Sequence, residues 1–118
     1  MPHVKLEHTE NIRWKNPIQD IFPKLQTVLI QHARVKPENC KSRAMELKLF
    51  YCTGNSRSGG FIHLEISLLS GRTEEVKKNI GKECHQIIQS FIENIADIQV
   101  SVELRDMDRN GYFTTNQF

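Results

Sequence analysis

A proline directly after the first methionine, followed by the alternating run His3-Val4-Lys5-Leu6-Glu7, puts a ring nitrogen at the start of a strand. Proline has no backbone N–H to give to a sheet ladder, and the first position of a strand is where that lack does least harm. With Met1 removed, Pro2 becomes the N-terminus and its nitrogen a free secondary amine. An unperturbed α-amino group titrates near ~8, so only a minority of it is neutral at neutral pH. Nearby positive charge disfavours the protonated form and lowers that value. A rigid neutral amine is a general base, worth roughly 10²–10⁴-fold in rate. Cations beside it would bind a substrate carboxylate and stabilise enolate charge, each well-aimed donor adding about 3–4 kcal/mol. A proton shift next to a carbonyl could run on these parts with no metal and no organic cofactor.

The elements that must position these groups follow from periodicity. The first strand runs from Pro2 to about His8, with Val4, Leu6 and His8 on one face and His3, Lys5 and Glu7 on the other. Ile18, Ile21, Phe22, Leu25, Val28 and Leu29 recur at helical spacing and predict a helix from about Asp20 to Ala33, which places Pro23 in the first turn. A second strand is expected over Ser42–Cys52, with Met45, Leu47, Leu49 and Tyr51 in the row turned toward the helices. The segment Thr53–Gly60 is a glycine-rich turn; no Walker lysine follows it. A third strand, Phe61–Leu69, leads through Ser70-Gly71-Arg72 to Thr73, a good N-cap for a helix extending to about Ala96, with Glu74 and Glu75 in its first turn. Val76, Ile80, Cys84, Ile87, Ile88, Phe91 and Ile95 form its apolar stripe, and Gln99–Arg105 closes the pattern as a fourth strand.

The order is β-α-β, turn, β-α-β, two halves of one plan (about 1–52 and 61–106) with a tail over 107–118. Strands joined through a helix should be parallel with a right-handed crossover. The expected fold is therefore one α+β domain, a duplicated β-α-β two-layer sandwich: a four-stranded mixed sheet with both helices on one face. In that arrangement Lys41 and Arg43, two residues apart and so on one face, begin the second strand beside the start of the first. If the halves run antiparallel, Arg72, after the third strand, comes to the same edge, and three cations would then surround Pro2. On the sheet's other face Phe50, Cys52 and Phe61 are expected to fall, which points to packing against other subunits.

Composition narrows the alternatives. Hydrophobic residues are 38% of 118 residues, so the core is thin and oligomerisation would bury more of it. A net charge of +2 and no basic run beyond Lys77-Lys78 argue against a nucleic-acid partner. No apolar stretch approaches the roughly 18 residues of a membrane span, and residues 1–20 hold no apolar core of a targeting signal, so a cytoplasmic location is expected. Cys40, Cys52 and Cys84 make no CxxC and are expected as reduced thiols; the five histidines show no metal spacing. Asp106-Met107-Asp108-Arg109-Asn110-Gly111 opens like a calcium loop, but Gln117 stands at its twelfth position and Asn110-Gly111 signals a tight turn.

Met-Pro-His at 1–3, Asn11-Ile12-Arg13, Lys41-Ser42-Arg43, Phe61-Ile62-His63-Leu64, Gly71-Arg72-Thr73 and the run Val102–Asp108 together resemble the tautomerase superfamily, and most of all 5-carboxymethyl-2-hydroxymuconate isomerases of bacterial aromatic-acid degradation. The resemblance spans nearly the whole chain. It implies the duplicated β-α-β fold, a homotrimer, removal of Met1, Pro2 as the proton-shuttling base and Arg72 as the residue that binds and polarises an unsaturated hydroxy or keto carboxylic acid. It also implies subunit contact by the tail from Tyr112 to Phe118. Where the family pattern resembles Ile-Arg-Ser-Arg, this chain has Cys40-Lys41-Ser42-Arg43. Lysine keeps the charge and loses the planar bidentate grip, so Lys41 and Arg43 share the expected substrate-binding role. Two other outcomes fit the same fold: a trimeric binding module without chemistry, and a proline-dependent dehalogenase or decarboxylase that would recruit Glu7, Glu46 or Glu103 for water.

Overall fold

The computed structural model describes residues 2–52 and 59–115. Strand β1 (His3–Thr9) leads through a 3-10 turn to α1 (Ile21–Ala33) and β2 (Lys41–Leu47); β3 (Gly60–Leu69) leads to α2 (Glu74–Ser90) and β4 (Ile98–Met107). The sheet order is β2-β1-β3-β4, with β1 parallel to β2, β3 parallel to β4, and β1 antiparallel to β3. This is the duplicated β-α-β sandwich expected from the periodicity.

The core lies between the helices and one sheet face. Val4 and Leu6 of β1 and Ile62, Leu64, Ile66 and Leu68 of β3 meet Ile21, Leu25 and Leu29 of α1 and Ile80, Cys84 and Ile88 of α2, all buried. Each such side chain contributes about 1.5–3 kcal/mol by leaving water. Pro23 falls in the first turn of α1, and Thr73 caps α2 by accepting a hydrogen bond from the Val76 N–H at 3.2 Å. Burial pushes the Cys84 thiol up to about 12, so it packs as an apolar group.

Three expectations are corrected. First, β2 ends at Leu47, and its apolar row faces the other way. Met45 lies beside Glu7 and Lys41 beside His3, and cross-strand neighbours share a face, so Lys41, Arg43, Met45 and Leu47 look to the open side of the sheet. Phe61, beside Gln99, is on the open face as expected, but Phe50 and Cys52 lie beyond the end of β2 rather than in a strand. Alternation fixes which residues share a face; only register fixes which face it is. Second, α2 stops at Ser90 and not near Ala96. The chain leaves the helix because Phe91 and Glu93 pair their backbones with Lys15 and Arg13, an isolated bridge joins Trp14 to Ile92, and Asn94 takes the Arg13 N–H on its side chain. Ile95 is therefore exposed instead of completing the stripe. Third, β4 is longer than expected and runs through Asp106, whose carboxylate pairs with Lys77 of α2 at 3.1 Å. Asp108 caps a 3-10 turn at Asn110, which is the tight turn read from the sequence and gives that carboxylate a local partner. Most of the glycine-rich turn, 53–58, lies outside the described residues.

Candidate active site

Pro2 is buried, and its carbonyl accepts a hydrogen bond from the Lys41 N–H at 3.0 Å, which seats it as the last rung between β1 and β2. His3 lies beside Ser67 of β3, so the C-terminal end of β3 and the turn carrying Arg72 come to the same end of the sheet. Pro2, Lys41, Arg43 and Arg72 thus share one end of the molecule. The removal of Met1 concerns a residue outside those described.

The cations divide between the two faces. Arg72 is on the helix side: its Nη1 donates to the Leu69 carbonyl and its Nη2 to the Ala33 carbonyl, both at 3.0 Å. Ala33 ends α1, and Arg34 after it adopts the left-handed conformation. Arg72 therefore places a fixed positive charge at the negative end of the α1 dipole. Gly71, at φ 127°, supplies the backbone turn that aims it. A guanidinium has five N–H donors, so these two bonds leave three for an anion.

Lys41 and Arg43 are on the open side with His3. The Lys41 ammonium donates to the Glu38 carbonyl at 3.0 Å. Arg43 Nη1 donates to His3 Nδ1 at 3.0 Å, and His3 Nε2 lies 2.9 Å from the Tyr112 hydroxyl, with the two rings edge to face. Burial, then the Arg43 charge beside it, hold the His3 imidazole below its ordinary value of 6.5. Periodicity alone gives His3 a place on the open face of β1, and it gives Tyr112 only a place in the tail. The position of His3 directly after Pro2 was a usable signal; nothing in the sequence ties Tyr112 to a residue so far away in the chain.

Behind this end, a polar cluster fixes the far end of β1. Asn11 donates to the Gly59 carbonyl at 2.8 Å, Thr9 Oγ1 bonds to Asn11 at 2.6 Å and accepts from the Phe61 N–H at 3.1 Å, and Asn94 reaches the Asn11 carbonyl at 3.2 Å. The Asn11-Ile12-Arg13 motif is thus a clasp between the loop after β1 and the segment after α2. Among the described residues no group of His, Cys, Asp and Glu is arranged to hold a metal ion, and no helix is long and apolar enough to cross a membrane.

The duplicated β-α-β fold, a four-stranded mixed sheet with two helices, is shared by solved structures. A 5-carboxymethyl-2-hydroxymuconate isomerase from Deinococcus radiodurans R1 is 25% identical, with 98% of this chain and 90% of that one superposed at a TM-score of 0.80. A Q0 fused 4-OT wild-type symmetric trimer is 16% identical over 98% of this chain and 94% of that one (TM-score 0.77), and a 5-carboxymethyl-2-hydroxymuconate delta-isomerase is 13% identical over 100% and 89% (TM-score 0.70). No curated protein matches the chain. The family model for 5-carboxymethyl-2-hydroxymuconate isomerase matches residues 2–118, and the chain belongs to that family. That family makes it an isomerase.

Proposed function

We propose that Pro2, freed of Met1, is the general base of a cofactor-free proton shift in an unsaturated hydroxy or keto carboxylic acid, of the kind met in aromatic-acid catabolism. The observation that carries this is the seating of Pro2 as the last rung of β1, buried, at the sheet end where Arg72 is fixed on two carbonyls. A secondary amine held there takes a proton from one carbon or oxygen of the dienol and returns it to another. Arg72 binds the carboxylate and stabilises enolate charge with N–H groups that need no reorganisation. Lys41 and Arg43 complete the substrate-binding set and supply the positive field that keeps the amine neutral. The chain assembles as a homotrimer whose open sheet faces turn inward; exposed Met45, Leu49 and Tyr51 are the surface that assembly covers.

Turnover of 2-hydroxymuconate tests the base. Pro2→Ala is expected to lower kcat by roughly 10²–10⁴-fold. Equal rates in both proteins would defeat it. Intact mass spectrometry of the natively expressed protein is the companion measurement: a retained Met1 would make the Pro2 nitrogen an amide with no basic lone pair.

A further inference from the structure

His3 sits between two partners whose chemistry is not interchangeable. A guanidinium only donates, so in the contact between Arg43 Nη1 and His3 Nδ1 the imidazole nitrogen must be the acceptor. Nδ1 then carries no proton. A neutral imidazole with a bare Nδ1 carries its proton on Nε2, and Nε2 faces the Tyr112 hydroxyl. The phenol oxygen therefore accepts, and its own proton is left to point elsewhere. We infer that His3 is a positioning residue for the substrate-binding end of the sheet: as the Nε2-protonated neutral tautomer it anchors Arg43 and the Tyr112 tail in one relay, and presents the Tyr112 O–H as a donor for an anionic oxygen of the substrate. This rests on Pro2 and its neighbours forming the site, as proposed above.

The relay is sensitive to one proton. Protonated His3 would carry N–H on both nitrogens, and Nδ1–H would face the Arg43 guanidinium with nothing to accept either donor. The groups around His3 make that protonation unfavourable. Lys5 shares its face on β1, Lys41 and Arg43 flank it on β2, Ser67 faces it from β3, and Tyr112 covers it from the tail. The nearest carboxylate along the sheet, Glu65, is already bonded to Lys5 and Arg105. As the pH falls, protonation of His3 at Nδ1 would therefore release Arg43, while Nε2–H keeps its bond to Tyr112, and the share of substrate affinity that Arg43 supplies would be lost.

Two measurements on the full-length protein decide this. The first is the ¹⁵N spectrum of the imidazoles near neutral pH, with His3 assigned by its loss in His3→Asn. A bare Nδ1 and a protonated Nε2 are expected; a protonated Nδ1, or an imidazolium, overturns the inference whatever the enzyme's activity. The second is 2-hydroxymuconate turnover. His3→Ala and Tyr112→Phe are each expected to raise KM about tenfold, the scale of one hydrogen bond to a charged group, with kcat little changed. His3→Asn, whose amide oxygen can accept from Arg43 where Nδ1 did, should recover part of the loss and abolish the rise of KM at acid pH. An unchanged KM in both His3→Ala and Tyr112→Phe, or an acid rise that persists in His3→Asn, overturns it. Failure of the base appears separately, as wild-type turnover by Pro2→Ala.

Discussion

In the proposed mechanism Arg72 serves stability and chemistry with one side chain. Its two bonds to the Leu69 and Ala33 carbonyls tie β3 to the end of α1, and the same bonds fix the guanidinium where an anion would meet it. Arg72→Lys keeps the charge but not the fork. It is expected to lower kcat/KM for 2-hydroxymuconate and also to cost about 1–3 kcal/mol in urea denaturation; a variant as stable as wild type would show that the two carbonyl bonds add nothing. His3 contributes a pH dependence whose sign follows from its depressed value. The unfolded chain binds this proton more readily than the folded one, so the stability His3 provides is present above the ordinary 6.5 and is lost as pH falls through its lower folded value. Unfolding free energy should fall between about pH 7.5 and about pH 5.5 more steeply in wild type than in His3→Asn. Parallel curves would show that His3 does not report on folding.

Among the elements, β1 has the most demanding surroundings. Gly60 opens β3 against its end, and a Cβ there would stand 2.5 Å from both Thr9 Oγ1 and Asn11 Oδ1. Those two atoms hold the clasp that fixes the loop after β1, so neither can withdraw without breaking a hydrogen bond. Gly60→Ala is expected to cost about 1–3 kcal/mol as overpacking, read as a lower thermal midpoint; an unshifted midpoint would mean the clasp can open freely. The helices are joined to each other by His32 and Glu83, and α2 is joined to β4 by Lys77 with Asp106. None of these pairs covers β2, where Ala44 and Glu46 on the helix side and Arg43 and Met45 on the open side are all exposed.

At the scale of the whole molecule, that bare strand is the feature a monomer leaves unexplained. Leu49 is 96% and Tyr51 82% exposed, directly after a strand with apolar side chains on its open face. Two large apolar side chains this exposed, close to Met45, fit a surface that a partner covers. Sedimentation equilibrium should give three times the chain mass, and Leu49→Asp should shift the protein toward monomer with a parallel loss of turnover. A wild-type monomer would remove the trimer from the proposal.

The sequence by itself determined the strand and helix order, the parallel pairing within each half, the cap at Thr73 and the place of Pro2 at the head of β1. These follow from local periodicity, from the chemistry of single residues and from the handedness of β-α-β units, all of which act over a few neighbouring positions. Tertiary structure decided the rest, the antiparallel pairing of β1 with β3 included. The direction of the Met45 row depended on the register with β1, because a period of two is the same whichever face it serves. The end of α2 at Ser90 depended on a backbone pairing with residues near Trp14, far off in sequence, that took the chain out of the helix. Lys41, Arg43 and Arg72 were legible as cations at one sheet end, but their division between two faces was not, because it depends on which carbonyl or ring each side chain reaches. Tyr112 meets His3 only once the tail has folded back along the sheet, and no local pattern encodes that contact.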